Sequence, residues 1–139
     1  MTKCAMQDFK KLLVWKKAHA LVLNAYRAAG QIRGSLHQSL RSQLVRSAMS
    51  IPTNIVEGRA KRSEREFGRF LGYSLSSATE LEYHLIVARD LGLMRESDVT
   101  SLLTQLIEVR RMLHGLLNRI ASEPDPEPPI DNAARSVSG

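Results

Sequence analysis

Apolar residues recur along most of this chain in steps of three and four, the spacing that places them on one face of an α-helix. Four such stretches, over about residues 11–29, 36–60, 64–91 and 97–121, predict four helices. The breaks between them are short and rich in polar residues and glycine, so consecutive helices are expected to be neighbours. The pattern therefore predicts an all-α fold, an antiparallel up-and-down four-helix bundle.

The apolar stripe of each helix predicts the core. Alternating steps of four and three in the last two helices are typical of the seam of a left-handed bundle. The third helix has Phe67, Leu71, Ser74, Ala78, Leu81, Leu85 and Ala88. The fourth has Val99, Leu102, Leu106, Val109, Leu113, Leu116 and Ile120. The second has Leu36, Leu40, Leu44, Ala48, Ile51 and Ile55, and the first has Trp15, Ala18, Leu21, Val22, Ala25, Ala28 and Ala29.

A proline interrupts the second predicted helix. Pro52 removes a backbone donor and crowds the carbonyl four residues back, at a cost of about 3 kcal/mol in a helix interior. The apolar stripe nevertheless keeps its phase across this position, which favours one kinked, continuous helix over two separate helices. We expect neighbouring side chains, serine or threonine in particular, to compensate the freed carbonyl of Ala48.

Capping residues predict where the helices start and stop. Ser35 is a candidate N-cap for the second helix, and Gly58 is expected to end that helix in the left-handed conformation. Ser63 followed by Glu66 predicts a capping box, in which the hydroxyl and the carboxylate each accept a hydrogen bond from a free backbone amide.

The composition predicts one cytoplasmic domain. The chain has 139 residues, of which 43% are hydrophobic, and the single cysteine, Cys4, fits a reducing compartment. We find neither a signal peptide nor an apolar span long enough for a membrane helix. We divide the chain into an N-terminal arm (1–10), the bundle (11–122) and a proline-rich acidic tail (123–139), expected to be extended or mobile and to lie over basic surface of its own or a neighbouring subunit.

The charge pattern favours a polyanionic partner. The net charge is +6, but the tail holds four acids and one arginine, which leaves 19 bases and 10 acids in the rest of the chain. Basic residues of this kind bind nucleic-acid phosphates by releasing counterions. The candidate nucleic-acid-binding residues are Lys10, Lys11, Lys16, Lys17, Arg41, Arg46, Arg59, Lys61, Arg62, Arg65 and Arg69. The alternative is a solvated surface that serves only solubility.

Two features favour self-association. Apolar residues flank the seams of the last two helices, and small residues four apart would let another backbone approach closely. The candidate interface residues are Gly68, Phe70, Gly72, Tyr73, Ser76, Leu103, Ile107 and Leu117. The alternative is that the glycines are neutral substitutions on an exposed face.

Catalytic and metal-binding patterns are missing from the sequence. The four histidines fall one per helix, without the spacing of a zinc or di-iron site. Glu80 and His84 are expected to form a surface pair. We therefore predict no metal, no cofactor, no catalytic residues and no enzymatic activity.

Several motifs resemble a known family. The segments LLVWKKAHAL (12–21), QLVRSAMSIPTNIVEG (43–58), SEREFGRFL (63–71) and ELEYHL (80–85) are similar to bacterial four-helix-bundle proteins encoded in intervening sequences of large-subunit ribosomal RNA genes. The resemblance implies a cytosolic ring of five subunits and kinship by fold with accessory proteins of diversity-generating retroelements, which bind nucleic acid and a reverse transcriptase. The motif residues are Trp15, Pro52, Asn54, Glu57, Gly58, Ser63, Glu66, Phe67 and Glu80.

The resemblance also suggests roles for the polar motif residues. Ser74 and Ser76 stand where the family pattern leads us to expect Ala and Gly, so their hydroxyls need partners. Asn54 is expected to bond backbone near the proline. Glu57 is expected to pair with Arg41, with Arg46 or with an arginine of another helix, and the alternative that Asn54 and Glu57 line a ligand site stays open.

Three hypotheses follow for function. The first is a non-enzymatic, ring-forming bundle that binds RNA or DNA through basic residues. The second is an oligomeric scaffold whose partner is a protein, and the third is an enzyme or small-molecule binder at a subunit interface. The sequence contains no residue set that supports the third.

Overall fold

Four helices make up most of the computed structural model, which describes residues 8–122. They are α1 (Leu13–Ala29), α2 (Gln38–Arg59), α3 (Glu64–Asp90) and α4 (Glu96–Ser122), and short 3-10 turns span Phe9–Lys11 and Ser35–His37. The prediction of an all-α four-helix bundle is confirmed, with every helix end within two residues of its expected place. Cys4, most of the predicted arm and the whole of the predicted tail lie outside the described residues.

Each helix packs on two others: α1 on α2 and α4, and α3 on α2 and α4. Two polar contacts join α1 to α4, Lys17 with Glu108 (3.4 Å) and Asn24 with Gln105 (2.9 Å), and Gln31, in the turn just after α1, donates to Asp98 of α4 (2.7 Å). The residue numbers rise along α1 while they fall along α4, the order that antiparallel neighbours give.

The core follows the predicted stripes closely. All seven seam residues of α3 are buried, as are the first five of α4. Leu116 and Ile120 are only partly buried, because α4 nears its end there. Leu36 was wrongly placed in the core: its side chain is 85% exposed. It lies in the 3-10 turn before α2, where the three-residue repeat breaks the phase of the following α-helix.

The helix that contains Pro52 is continuous. Helix α2 runs through the proline, and Pro52 itself is buried, so the expectation of one helix rather than two is met, while the kink stays a prediction. Three side chains donate hydrogen bonds to carbonyls beside the proline: Thr53 Oγ1 to Met49, Asn54 Nδ2 to Ser50 and Ser74 Oγ to Ile51, each at 2.8 Å. No side chain within residues 8–122 reaches the carbonyl of Ala48, so the polar support falls one to three residues further along.

Gly58 has a different role from the one predicted. It is a buried residue inside α2, and the described residues with positive φ are Gly34 and Gly92. A Cβ on Gly58 would lie 2.7 Å from Phe70 Cβ and 3.0 Å from Phe67 Cδ1. The left-handed ending was therefore wrong: glycine is present because α2 and α3 approach too closely here for a side chain.

Two capping predictions need correction. Ser63 Oγ accepts from the Glu66 amide at 3.1 Å, as expected, but the Glu66 carboxylate lies 3.4 Å from the Arg69 guanidinium. The capping box is therefore half formed, because a nearby cation attracts the carboxylate. The N-cap of α2 is His37, which makes no side-chain cap bond, and Ser35 instead begins the preceding 3-10 turn.

Candidate nucleic-acid interface

Five bases surround the turn between α2 and α3, which we call the turn cluster: Arg59, Lys61, Arg62, Arg65 and Arg69. The turn forms because α2 ends at Arg59 and the hydroxyl of Ser63 caps α3 four residues later. So short a connection places bases from the end of one helix beside bases from the first turns of the next.

Aromatic rings hold part of the turn cluster in place. Lys61 Nζ lies 5.0 Å from the centre of the Phe70 ring, and Arg59 Cζ lies 5.2 Å from the Phe67 ring. Phe70 and Tyr73 meet edge to face with centroids 5.3 Å apart. Cation–π contacts of this kind stabilise by about 0.5–1 kcal/mol at exposed sites. The cluster therefore combines cations with partly exposed rings.

Arg69 is the most tightly held base of the cluster. Its Nε donates to the Tyr73 hydroxyl at 3.0 Å, and its Cζ lies 5.8 Å from the Tyr73 ring. The hydrogen bond that Arg69 donates to Tyr73 is the main cause that raises the pKa of Arg69, with a smaller contribution from the charge of Glu66. Arg69 thus stays charged and is oriented by its own helix.

Three bases of the cluster are accessible to solvent. Lys61, Arg62 and Arg65 are exposed, and none of them forms an ion pair with an acid of residues 8–122. Charges in this state can meet phosphate without first breaking an existing pair. These three residues are therefore the candidate anion contacts of the turn cluster.

Other predicted binding residues have partners within the bundle. Arg46 pairs with Glu80, Lys17 lies 3.4 Å from Glu108, and Arg41 donates to the Ile32 carbonyl at 2.7 Å. The Arg41 bond fixes the loop between α1 and α2. The structure thus brings the turn cluster together and leaves these three bases away from it.

The start of α1 lies at the same end of the bundle as the turn cluster. Leu12, Arg59 and Glu64 line one hollow together with Arg119, which brings the neighbourhood of the predicted bases Lys10, Lys11 and Lys16 toward the cluster. Lys11 lies 4.0 Å from Asp8. Sequence reasoning missed Arg119. The one signal in the sequence was its position next to Ile120, the last residue of the α4 seam, which places Arg119 at the C-terminal end of α4.

Positive charge is concentrated on one half of the bundle. Helices α1 and α2 together carry six bases, Lys16, Lys17, Arg27, Arg41, Arg46 and Arg59, and a single acid, Glu57. Helices α3 and α4 carry six bases and eight acids. An incoming anion therefore meets the α1/α2 half and the adjoining turn first.

The motif acids and amides support the α2–α3 contact. Asn54 Nδ2 lies 3.1 Å from the Ser50 hydroxyl, which also bonds Ser77 at 2.8 Å. The Glu80 carboxylate accepts from Arg46, and His84 Nε2 lies 3.7 Å from it. Glu57 is exposed, and its predicted pairing with Arg41, Arg46 or an arginine of another helix was wrong, since no arginine of residues 8–122 forms an ion pair with it.

The candidate interface residues fall on more than one surface. Leu103 and Leu117 pack against the core of their own chain, and a Cβ on Gly68 would lie 3.6 Å from Leu117. Ser76, Tyr73 (44% exposed) and Ile107 (52% exposed) face solvent. Phe70 is half-buried, and Gly72 has open space where a Cβ would lie.

Sequence reasoning missed an apolar channel between α1 and α2, which we call the α1/α2 groove. It encloses about 500 Å³ and is lined by Trp15, Val22, Tyr26, Met49, Pro52 and Val56, among others. A second hollow of about 760 Å³ continues it past Tyr26 and Met49 to Arg41 and Arg46. The sequence pattern assigned Trp15 and Val22 to the core; both are half-buried and pack against it, and the rest of their surface lines this channel.

Within residues 8–122, no three His, Cys, Asp or Glu side chains are grouped closely enough to hold a metal ion. None of the helices described here combines the length and apolar content that crossing a membrane requires.

Comparison with known proteins identifies the fold and family. The family model described as 23S rRNA-intervening sequence protein matches residues 10–115. The chain is also similar to a protein of unknown function from the S23 ribosomal protein family of Bacteroides thetaiotaomicron, with 21% identity and a TM-score of 0.70 over 76% of this chain and 98% of that one. At this identity the likeness shows the fold alone. No curated protein matches the chain.

Proposed function

The chain belongs to the 23S rRNA-intervening sequence protein family, and from that premise we propose a non-enzymatic, self-associating bundle that binds RNA or DNA in the cytoplasm. The single observation that carries the binding proposal is the turn cluster. Three of its exposed bases, Lys61, Arg62 and Arg65, form no ion pair with an acid in residues 8–122. Of these three, Lys61 lies over the half-buried Phe70 ring, which meets the exposed Tyr73 ring edge to face.

The chemistry of the turn cluster suits a nucleic acid in which unpaired nucleotides lie close to the phosphate backbone. Each Lys or Arg that neutralises a phosphate releases counterions, so log K falls with log salt by about 0.9 per contact on duplex DNA and about 0.7 on single strands. The exposed face of an aromatic ring offers a stacking surface that is tolerant of sequence. The proposed binding is therefore salt-dependent and weakly sequence-specific, and it favours structured RNA with unpaired nucleotides.

The test compares two variants with the same change in net charge. Lys61, Arg62 and Arg65 are changed to Glu in one variant, and Arg27, Arg33 and Arg111, exposed bases outside the turn cluster, are changed to Glu in the control. Fluorescence anisotropy with a labelled RNA hairpin is recorded across a salt series. Loss of three contacts should lower the salt slope by about 2–3 in the cluster variant, while the control keeps most of its slope.

Two outcomes would contradict the proposed site. Equal losses in both variants would mean that only net charge attracts the RNA. No retention of RNA or duplex DNA by the unmodified protein at low salt would remove nucleic-acid binding altogether.

Self-association is the second part of the proposal, and the ring of five subunits rests on the family resemblance. Exposed apolar side chains on α3 and α4, Tyr73 and Ile107, support a contact between copies. The solution molar mass is expected to be a multiple of 15.6 kDa, and Ile107→Glu is expected to lower it. Tyr83→Glu, at a 64% exposed position outside the candidate set, serves as the control. A single 15.6 kDa species would contradict this part.

The alternative is an oligomeric scaffold that binds another protein and no nucleic acid. The observation that favours it is the pairing of Lys17, Arg46 and Arg69 with acids of the same chain, which reduces the charge available to phosphates. Under this alternative the cluster variant and its control would retain RNA equally poorly, yet both would keep the molar mass of the unmodified protein.

A further inference from the structure

The α1/α2 groove exposes rings that are held side by side. The Trp15 ring lies parallel to the His19 ring, with centroids 5.0 Å apart and planes 5° apart, and the Phe9 ring meets Trp15 edge-on at 5.1 Å. Further along the groove, Tyr26 is 67% exposed and Met49 is 51% exposed. Channels lined by fixed aromatic rings bind proline-rich segments, because a polyproline II helix is already ordered and loses little entropy on binding.

We propose that the segment following α4 in this chain, residues 123–139, binds in the α1/α2 groove of the same subunit. Its sequence begins EPDPEPPID and contains four of the five prolines of the chain. The apolar run Pro128, Pro129 and Ile130 supplies the groove contacts, with Trp15 and Tyr26 as the receiving rings.

The end of α4 lies close enough to the groove for this connection. Arg119 and Ile120 share a hollow with Leu12 and Arg59. Trp15, about one turn after Leu12, and Val56, about one turn before Arg59, line the start of the groove. An extended proline-rich chain covers about 3.1 Å per residue. To reach the groove from the end of α4, the segment must cross α1, a helix roughly 10 Å wide. Residues 123–127 span about 15 Å, which is enough for this crossing.

Charge complementarity supports the same placement. The α1/α2 half carries six bases and one acid, and the segment carries Glu123, Asp125, Glu127 and Asp131 against Arg135. The continuation of the groove is lined by Arg41 and Arg46. Acids placed around a short apolar run thus meet bases placed around an apolar channel, which steers the segment to this face rather than to the acidic α3/α4 half.

The inference does not depend on nucleic-acid binding, and its test uses none. Trp15 is the only tryptophan, so its emission and its quenching by acrylamide report directly on the groove. In the full chain, Pro128, Pro129 and Ile130 are changed to Ser. The emission is expected to shift to longer wavelength, and the quenching constant is expected to at least double. The control changes Ala133, Ala134 and Val137 to Ser, three apolar residues outside the proline run, and is expected to leave both values unchanged.

A second variant tests the electrostatic part. Glu123, Asp125, Glu127 and Asp131 are changed to their amides in the full chain. High salt screens the attraction between the segment and the groove, so it should increase Trp15 quenching in the unmodified protein. It should have less effect in the variant, because the amide substitutions have already removed that attraction.

Two results would overturn the proposal. Identical emission and quenching in the unmodified protein, the Pro128/Pro129/Ile130 variant and its control would show that the segment does not cover Trp15. Quenching that falls with rising protein concentration, equally in the unmodified chain and in that variant, would assign the groove to a second copy of the chain instead.

Discussion

Replacing Gly58 by alanine tests the close contact between α2 and α3. The added Cβ would lie 2.7 Å from Phe70 Cβ, and 3.4 Å from the Phe67 carbonyl oxygen. Phe70 Cβ is attached directly to the backbone, so it cannot rotate away. Reaching an ordinary contact of 3.4 Å requires α2 and α3 to separate locally by about 0.7 Å, an overpacking that typically costs 1–3 kcal/mol.

The steric cost must be separated from the gain in helix propensity. Alanine is favoured over glycine in a helix by about 1 kcal/mol, so Gly58→Ala alone could change the stability very little. Gly115→Ala is the matched control, because Gly115 lies inside α4 and a Cβ there meets nothing within 4 Å. We expect the control to raise the free energy of unfolding by up to about 1 kcal/mol. Gly58→Ala should fall below the control by about 1–3 kcal/mol, the steric cost alone.

Urea denaturation followed by circular dichroism measures both variants. All samples are kept at one protein concentration, because association would make the midpoint depend on concentration. If Gly58→Ala proves as stable as Gly115→Ala, the two helices do not approach as closely as described. The reasoning that glycine is required for packing at this position would then be refuted.

Two further predictions concern polar side chains. Ser74→Ala removes a buried 2.8 Å hydrogen bond to a carbonyl of α2 and should lower the free energy of unfolding by about 1 kcal/mol. The control, Ser76→Ala at an exposed position, should change it by no more than about 0.5 kcal/mol in the same urea assay. Equal effects of the two substitutions would contradict this. Hydrogen bonds from Gln31 and then Arg95 lower the pKa of Asp98 below its ordinary value of 3.8, so its contribution to stability is present above pH 3.8 and is lost as the pH falls through the lower folded value. Asp98→Asn should therefore melt below the unmodified protein at pH 7, with a gap that narrows below pH 3.8; a constant gap would rule out this linkage.

The sequence predicted the buried seams because their repeat is local. Phe67, Leu71, Ser74 and Ala78 fall four and three apart, and a helix places such residues on one face whatever its neighbours are. Ser63 as the cap of α3 could be predicted for the same reason, since its hydroxyl bonds an amide only three residues away. The turn cluster was also predictable, because its five bases lie within eleven residues of one another.

Partnerships between distant residues could not be predicted. Arg46 binds Glu80, Arg41 binds the Ile32 carbonyl, and neither binds Glu57. An exposed base has many acids within reach in a linear sequence, and only the relative rotation of two packed helices selects one of them. The half-formed capping box has the same origin, since a competing arginine decides where a carboxylate points.

The sequence by itself determined four helices, their approximate lengths and most of the stripe that each one buries, because these depend on periodicity and on bonds within a few residues. The tertiary structure alone decided that Gly58 serves close packing and that Trp15 and Val22 line an open groove. It also showed that Lys61, Arg62 and Arg65 stay exposed and unpaired with acids of residues 8–122. The physical reason is that burial and charge pairing depend on the distance between helices, which no spacing along the chain records.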